Sequence, residues 1–449
     1  MIRMILHQIW NQRRQNFWIW LELALLSVFL WLAVDPLFTM TCVTQVPRGY
    51  DTDRLYLLRT HYDFRKREFS EENFTPQMDH LLTRLSEHPL VEEVCLCDRN
   101  RFIGKQQGAF IPFYRNQKDA QADKDEQTSG CGTEVIAIPV REGLEKWADL
   151  PGMLRLRDAT TGHPIHGRTD ATARDVVYFS SSMARDFYRT LRAKDSTLYF
   201  LTTEYNYMGQ KVDEHTARVE AVCTNIKICD YQTPAHIAII PMDAFYMTCT
   251  PLVRVKEGVD EDEFRAAIER DVLPRCPIDD VRSIEVMSVE KAMGKITEQS
   301  GAYNIIRLRS AMGFFGLLCV FLGVSGLFWV RCGERRQDIG VMRSMGASRR
   351  TVKRQMLLEG TLLLTASFWV AMLFVAWYVR ANGYNMGLEE AAPDWMKPDM
   401  VYWFNRPWPH VISVTLLTYG LMLLITLLGT WLPVHRATRI SPCDALRDE

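Results

Sequence analysis

"ERRQDIGVMRSMGASRRTVKRQMLLEG", Glu334 to Gly360, is the stretch whose reading decides the fold. Eight Lys or Arg side chains lie between Arg331 and Arg354 against two acids, yet both flanks are almost purely apolar. Before it runs "AMGFFGLLCVFLGVSGLFWV" (311–330), and after it "GTLLLTASFWVAMLFVAWYV" (360–379), neither with a charge. Two more such segments exist, 17–34 with Glu22 as its one charge, and 411–434 with none. About 20 apolar residues in a helix cross a bilayer core and satisfy their own backbone there. The sequence therefore predicts four transmembrane helices, although the mean hydropathy of the chain is slightly negative at -0.12.

Orientation follows from the flanking cations. Arg3, Arg13 and Arg14 precede the first span, the eight-cation connector joins the second to the third, and Arg436, Arg439 and Arg447 follow the fourth. The 381–409 segment is acid-rich instead, with Glu389, Glu390, Asp394 and Asp399. The positive-inside rule places both termini and the connector in the cytoplasm. A formal net charge of -1 gives no reason to expect nucleic acid. Residues 1–16 place Ile2, Ile5, Leu6, Ile9 and Trp10 at helical spacing, as in an amphipathic helix lying on the lipid surface. Glu22 is expected to face protein or water by interhelical hydrogen bonding or snorkelling.

Between the first and second spans lies a large polar segment, 41–300, patterned as an α/β domain on the extracytoplasmic side. "LYLLRT" (55–60) and "VEEVCLC" (91–97) read as strands around a helix that Thr75 caps with Pro76 at its first position. "PLVRVKEG", "DEDEFRAAIERDVL" and "VRSIEVMSV" repeat the strand–helix–strand pattern over 251–289. The two units predict ferredoxin-like halves, 41–100 and 236–290, around an inserted, β-rich lobe at 101–235. Lys118 to Gly130 reads as its most solvent-like loop. The fold class is thus an α-helical membrane protein with four transmembrane helices plus a large α/β (α+β) extracytoplasmic domain. The finer division is spans at 17–40, 301–332, 357–380 and 410–434, a connector at 333–356, and a tail at 435–449. The absence of a proline before the second span predicts one continuous helical stalk.

Seven of the eleven cysteines, those from Cys95 to Cys276, fall well inside the outer domain, where disulfides persist, and Cys95 and Cys97 share a strand face on which a metal pair is conceivable. His163 and His166 lie in a turn-rich stretch that reads as a surface loop. No P-loop, H-E-x-x-H or G-x-S-x-G occurs, so no enzyme is expected, nor any cofactor bound by this sequence.

In the connector, Glu334–Met345 reads as a short helix with Ile339, Met342 and Met345 at three-residue spacing. Gly346 fits a helix stop and Ser348 caps the next helix, which places Arg349, Arg350, Lys353 and Arg354 at headgroup level. This stretch resembles the signature of the FtsX/MacB-type permeases of ABC transporters, roughly E-R-x-x-E-I-G-[IV]-x-[RK]-[AS]-[LM]-G-A-[ST]-[RK]; Asp338 stands where glutamate is frequent. The tail "LPVHRATRISPCDALRDE" is similar to the family's ending, with a capping box at Ser441, Pro442 and Asp444, and "DVVYFSSSMARDFY" (175–188) to its outer domain. The resemblance implies a separate ABC ATPase subunit that binds the ATP, and a dimer with itself or a related permease. A periplasmic adaptor and an outer-membrane channel are further partners it admits. It makes Glu334, Arg335, Arg336, Asp338, Ile339, Gly340, Met342, Arg343, Met345, Gly346, Ala347 and Ser348 a coupling segment, its apolar stripe buried against the ATPase. Export of antimicrobial compounds or extraction of lipoproteins is the implied work. An FtsX-like regulator of a cell-wall hydrolase, or a sensor relaying peptide binding to a kinase, are the alternatives.

Overall fold

The structure, a computed structural model, describes residues 10, 13–62, 71–98, 109–126, 133–140, 143–206, 209–227, 230, 236–243, 249–278, 281–299, 302–384 and 402–437. The chain forms two compact units: Val43–Tyr303 with Leu388–Asp399, and Met1–Cys42 with Asn304–Gly387 and Met400–Glu449. The expected surface helix at 1–16, the loop tip at 127–130 and the capping box at 441–444 lie outside the described residues.

The first helix, α1 (Arg13–Gln45), is apolar on every side and keeps Pro36 in its interior. The α/β unit then begins with β1 (Leu55–Tyr62), α2 (Glu71–Ser86) and β2 (Val91–Asp98). Helix α2 starts one turn earlier than the Thr75–Pro76 pair predicts. Phe74, 2% exposed, extends the buried stripe of Met78, Leu81, Leu82 and Leu85. Burying a side chain of that size contributes roughly 1.5–3 kcal/mol, which offsets much of the ~3 kcal/mol cost of a proline inside the helix.

The inserted lobe contributes β3 (Ala109–Ile111), β4 (Phe113–Tyr114), α3 (Gln117–Glu126), β5 (Thr133–Val140), the single turn α4 (Leu150–Met153), β6 (Val176–Ser180), α5 (Ser181–Tyr188), β7 (Thr197–Asn206), β8 (Gly209–Cys223) and β9 (Ile237–Asp243). Helix α3 replaces the loop expected from Lys118. One fully buried residue, Ala120, anchors it, and the Tyr114 hydroxyl donates to Asp123 at 2.5 Å. The strands form a seven-stranded sheet in the order β3-β5-β9-β6-β8-β7-β4. Strand β9 pairs in parallel with β5, so the lobe's sheet extends past the boundary drawn at 235.

The unit closes with β10 (Cys249–Val255), α6 (Glu261–Asp271), β11 (Val281–Ser288) and α7 (Val289–Gln299). Its second sheet has the order β11-β1-β10-β2, antiparallel throughout, so the two ends of the unit's sequence lie side by side. Both faces are covered. Tyr56, Leu58, Leu96, Val253 and Val286 pack under α2 and α6, while Leu55, Cys95, Cys97 and Leu252 pack with Val289 and Met293 of α7 and with the lobe. That double covering explains why Cys95, Leu96 and Cys97 are all buried where alternation was expected. Burial pushes the Cys95 and Cys97 thiols well up, and Cys97 donates to the Thr250 carbonyl at 3.3 Å. Among the described residues every cysteine is a free thiol, and no group of three or more His, Cys, Asp or Glu is placed to hold a metal ion.

The helical unit comprises α1 with α8 (Ala302–Glu334), α9 (Arg336–Ser344), α10 (Arg349–Asn382) and α11 (Pro407–Ala437). Four of these helices are long and apolar enough to cross a membrane: Phe17–Gln45, Asn304–Glu334, Arg349–Asn382 and Pro407–Arg436. Glu22 is half-buried, and its carboxylate lies beside Gly323 of α8, as an interhelical placement requires. Whether α7 and α8 form one stalk turns on Ser300 and Gly301, which lie outside the described residues.

Candidate functional site: the connector helix and its socket

Arg335, at the start of α9, breaks the α8 helix with φ -95° and ψ 14°. Its guanidinium reaches Glu359 of α10 at 2.6 Å, with side chains only 11% and 4% exposed. A charge pair this dry is costly to form. Removing either partner is worse, at roughly 3–5 kcal/mol, because the other charge stays buried. The pair thereby fixes where α9 starts.

The end of α9 is set by backbone geometry. Gly346 sits at φ +95°, a left-handed conformation that glycine adopts without a Cβ penalty. Its N–H donates to the Arg343 carbonyl at 3.1 Å, and Ala347 N–H to the Met342 carbonyl at 3.0 Å. Those two bonds are the Schellman pattern, which satisfies carbonyls the helix leaves open. The hydrophobic contact that accompanies the pattern is present too, since Met342 and Ala347 pack on one apolar knot. Ser348 then caps α10, accepting from Thr351 N–H at 3.2 Å.

The knot contains Cys332, Ile339, Val352, Met356 and Val434. Ile339 is 3% exposed, so the expected stripe of Ile339, Met342 and Met345 is divided. Ile339 faces its own chain and Met342 is half-buried, whereas Met345 is 76% exposed. The correction is geometric. Steps of three residues fall 60° short of a full turn, so two steps carry the stripe a third of the way around the helix. Val341, 43% exposed, joins Met345 on the open side. Glu334 is exposed, Gly340 buried and Arg343 half-buried. The orienting roles expected of Arg336 and Asp338 rest on side chains outside the described set.

Three further contacts build the socket, and the sequence reading assigned none of them. Lys353 Nζ donates to His435 Nδ1 at 2.6 Å, tying α10 to α11. Arg436 lies over the Trp329 ring at 5.2 Å, tying α11 to α8. A Cβ on Gly360 would meet Phe328 Cζ at 2.9 Å, so glycine lets α8 and α10 approach this closely without displacing the ring. The signal for Glu359 was present in the sequence: a carboxylate at the edge of an apolar span needs a partner. Arg349, Arg350 and Arg354 stay exposed beside it.

Residues 310–442 match the FtsX-like permease C-terminal family, a segment that contains the connector, its socket and three of the long helices. That segment carries an FtsX-like permease C-terminal domain. The chain is 26% identical over 199 residues to the macrolide export ATP-binding/permease protein MacB of Salmonella typhimurium and of Salmonella typhi. The aligned region is 44% of this chain and 27% of each relative, so the chain spans about a quarter of the length of the curated relatives it matches. The periplasmic region of MacB from Actinobacillus actinomycetemcomitans aligns with 57% of this chain and 97% of its own at 12% identity, with a TM-score of 0.30. A domain of a putative permease protein from Porphyromonas gingivalis aligns with 53% of this chain and 92% of its own at 14% identity, with a TM-score of 0.28.

Proposed function

We propose that this FtsX/MacB-like chain is the permease part of an ABC transporter, and that α9 docks on an ABC ATPase supplied by a separate subunit. The observation that carries this reading is the two-sided connector. Arg335–Glu359 and the Ile339 knot hold one side to the helices, while Val341 and Met345 are left exposed on the other. An apolar anchor amid polar neighbours is how a small interface gains most of its binding energy. A helix locked at its base passes force to α8, α10 and α11 rather than folding under it. The basic residues around it favour the cytoplasmic face of the inner membrane, with both termini there and the α/β unit in the periplasm. The β11-β1-β10-β2 order supports a ferredoxin-like half for that unit. ATP-driven movement of the connector then displaces the spans and the periplasmic unit. The relatives' name favours export, with dimerisation, an adaptor and an outer-membrane channel as its accompaniments.

The test is Met345→Asp. It places a charge on the docking side, where nothing in the fold depends on it, and should lower ATPase co-purification at least ~10-fold. Cys332, 4% exposed in the knot, reports fold integrity, and its labelling rate should not change. Ile339→Asp buries a carboxylate and is expected to open the knot instead. Wild-type ATPase yield with Met345→Asp would sink the docking assignment.

A further inference from the structure

Strand β11 is an edge of its sheet: it pairs with β1 from Tyr56↔Ser288 to Tyr62↔Val281, and no other described strand joins it. A cleft of about 630 Å³ lies against it, within the size range of ligand sites. Five consecutive residues, Ser283 to Met287, line that cleft. Neighbouring side chains on a strand point to opposite faces, so a cleft touching all five runs along the backbone edge. The walls are helical. Glu261, Arg265 and Glu269 of α6 recur every four residues on one side, and Lys291 and Lys295 of α7 do so on the other. Helix α6 packs on the Val286 face of the sheet and α7 on the opposite face, so the edge lies in a trough between them.

We propose that this trough is a docking groove for one extended segment of a partner polypeptide, added as a fifth strand beside β11. An exposed strand edge offers backbone donors and acceptors that an extended chain satisfies, and alternate side chains supply specificity. Here the side chains of an added strand would point alternately at the acid-rich α6 wall and the lysine-bearing α7 wall. The groove therefore selects a segment in which basic and acidic residues alternate. Its existing contacts include the ion pairs Lys291–Glu261 at 2.9 Å, Arg265–Glu261 at 2.9 Å and Lys295–Glu285 at 3.0 Å, with the His61 ring 3.4 Å from Glu285. The lysines are 64% and 52% exposed, and such pairs exchange partners at little cost. Glu269 is exposed on the α6 wall. A second copy's β11 carries its own α6 and α7 on both faces, which collide with these walls; a lone strand does not. The proposal stands on the α/β unit alone and is independent of the ATPase reading.

The probe is a ten-residue synthetic peptide of alternating lysine and glutamate, added to the full-length chain in detergent. It should slow amide exchange across Ser283–Met287. A peptide of the same composition in two blocks should bind at least tenfold more weakly, as should the alternating peptide N-methylated at every second residue. Lys291→Glu with Lys295→Glu, both surface changes, should also reduce binding at least tenfold. Equal binding of the alternating, block and N-methylated peptides would overturn the proposal. So would protection confined to other segments, or no binding at all. Disulfide formation between two copies at Glu285→Cys would assign the groove to self-association instead.

Discussion

The α/β unit and the helical unit both bury charge, but they neutralise it differently. In the α/β unit, Lys227 is 1% exposed and donates to the Val43 carbonyl at 2.6 Å and to Val46 at 3.5 Å. Arg254, 0% exposed, donates to the Asp53 carbonyl at 2.6 Å and to the Met153 carbonyl at 2.5 Å, with Asp51 more distant. In the helical unit, Arg335 meets Glu359 and Asp35 meets His410 at 2.6 Å, side chain to side chain. The cause is the supply of free carbonyls. Loops and helix ends leave backbone oxygens unclaimed, whereas the interior of a long helix consumes its own. A bundle must therefore match a buried charge with another side chain.

The largest expected effect tests that contrast directly. Glu359→Ala strands the Arg335 guanidinium and should destabilise the socket by ~3–5 kcal/mol. Labelling of Cys332, followed by mass spectrometry of its peptide, should accelerate ~100-fold or more, since each 1.4 kcal/mol is about tenfold. Arg335→Met combined with Glu359→Leu should recover most of the loss. If Glu359→Ala alone leaves Cys332 protected, the pair is not holding the connector.

Lys227→Met is the matching change in the α/β unit, and its effect should be smaller. It removes the cation but leaves behind only neutral carbonyls near the end of α1, at a cost of ~1–3 kcal/mol. Cys223, fully buried in that unit, should label roughly 10-fold faster. Cys332 should be unaffected. Equal acceleration by Lys227→Met and Glu359→Ala would erase the distinction between the two ways of burying charge.

How much of this was legible in the sequence follows the same division. Apolar runs and the turn at Gly346–Ser348 are local signals, and the four long helices, the Schellman stop and the cap sit where the residues place them. The strands at Leu55, Val91 and Val281 were legible for the same reason. What depended on distant neighbours was not. Ile339 looked like half of an exposed stripe because nothing local announces Val434, almost a hundred positions on. Helix α3 looked like a loop because a single Ala120 anchors it. Asp35 follows the apolar run 17–34, and nothing local announces the buried His410 that meets it inside α1.

Gly360→Ala probes the contact rather than the charge. The added methyl meets the rim of the Phe328 ring at 2.9 Å, and the ring can tilt, so a loss near ~1 kcal/mol is expected. Cys332 labelling should rise only several-fold, well short of the Glu359→Ala effect. A larger rise would mean that helix approach, more than ion pairing, sets the stability of the socket.

The smallest effect belongs to acid. Asp230 accepts both Arg48 donors, at 2.8 and 2.7 Å, and that pairing holds its carboxyl below the usual range against the opposing cost of burial. A carboxylate with a lowered folded-state pKa adds stability above its unfolded pKa and loses it as pH falls through the folded value. The contribution is therefore full at neutrality and declines below about pH 4. With Asp230 38% exposed it amounts to under about 1 kcal/mol. Asp230→Asn should lower the stability of the α/β unit slightly at pH 7 and make no difference near pH 2, read by Cys223 protection across the range. A gap between variant and wild type that persists unchanged into acid would show that Arg48 is held by its bond to Thr52 and the neighbouring backbone, not by charge.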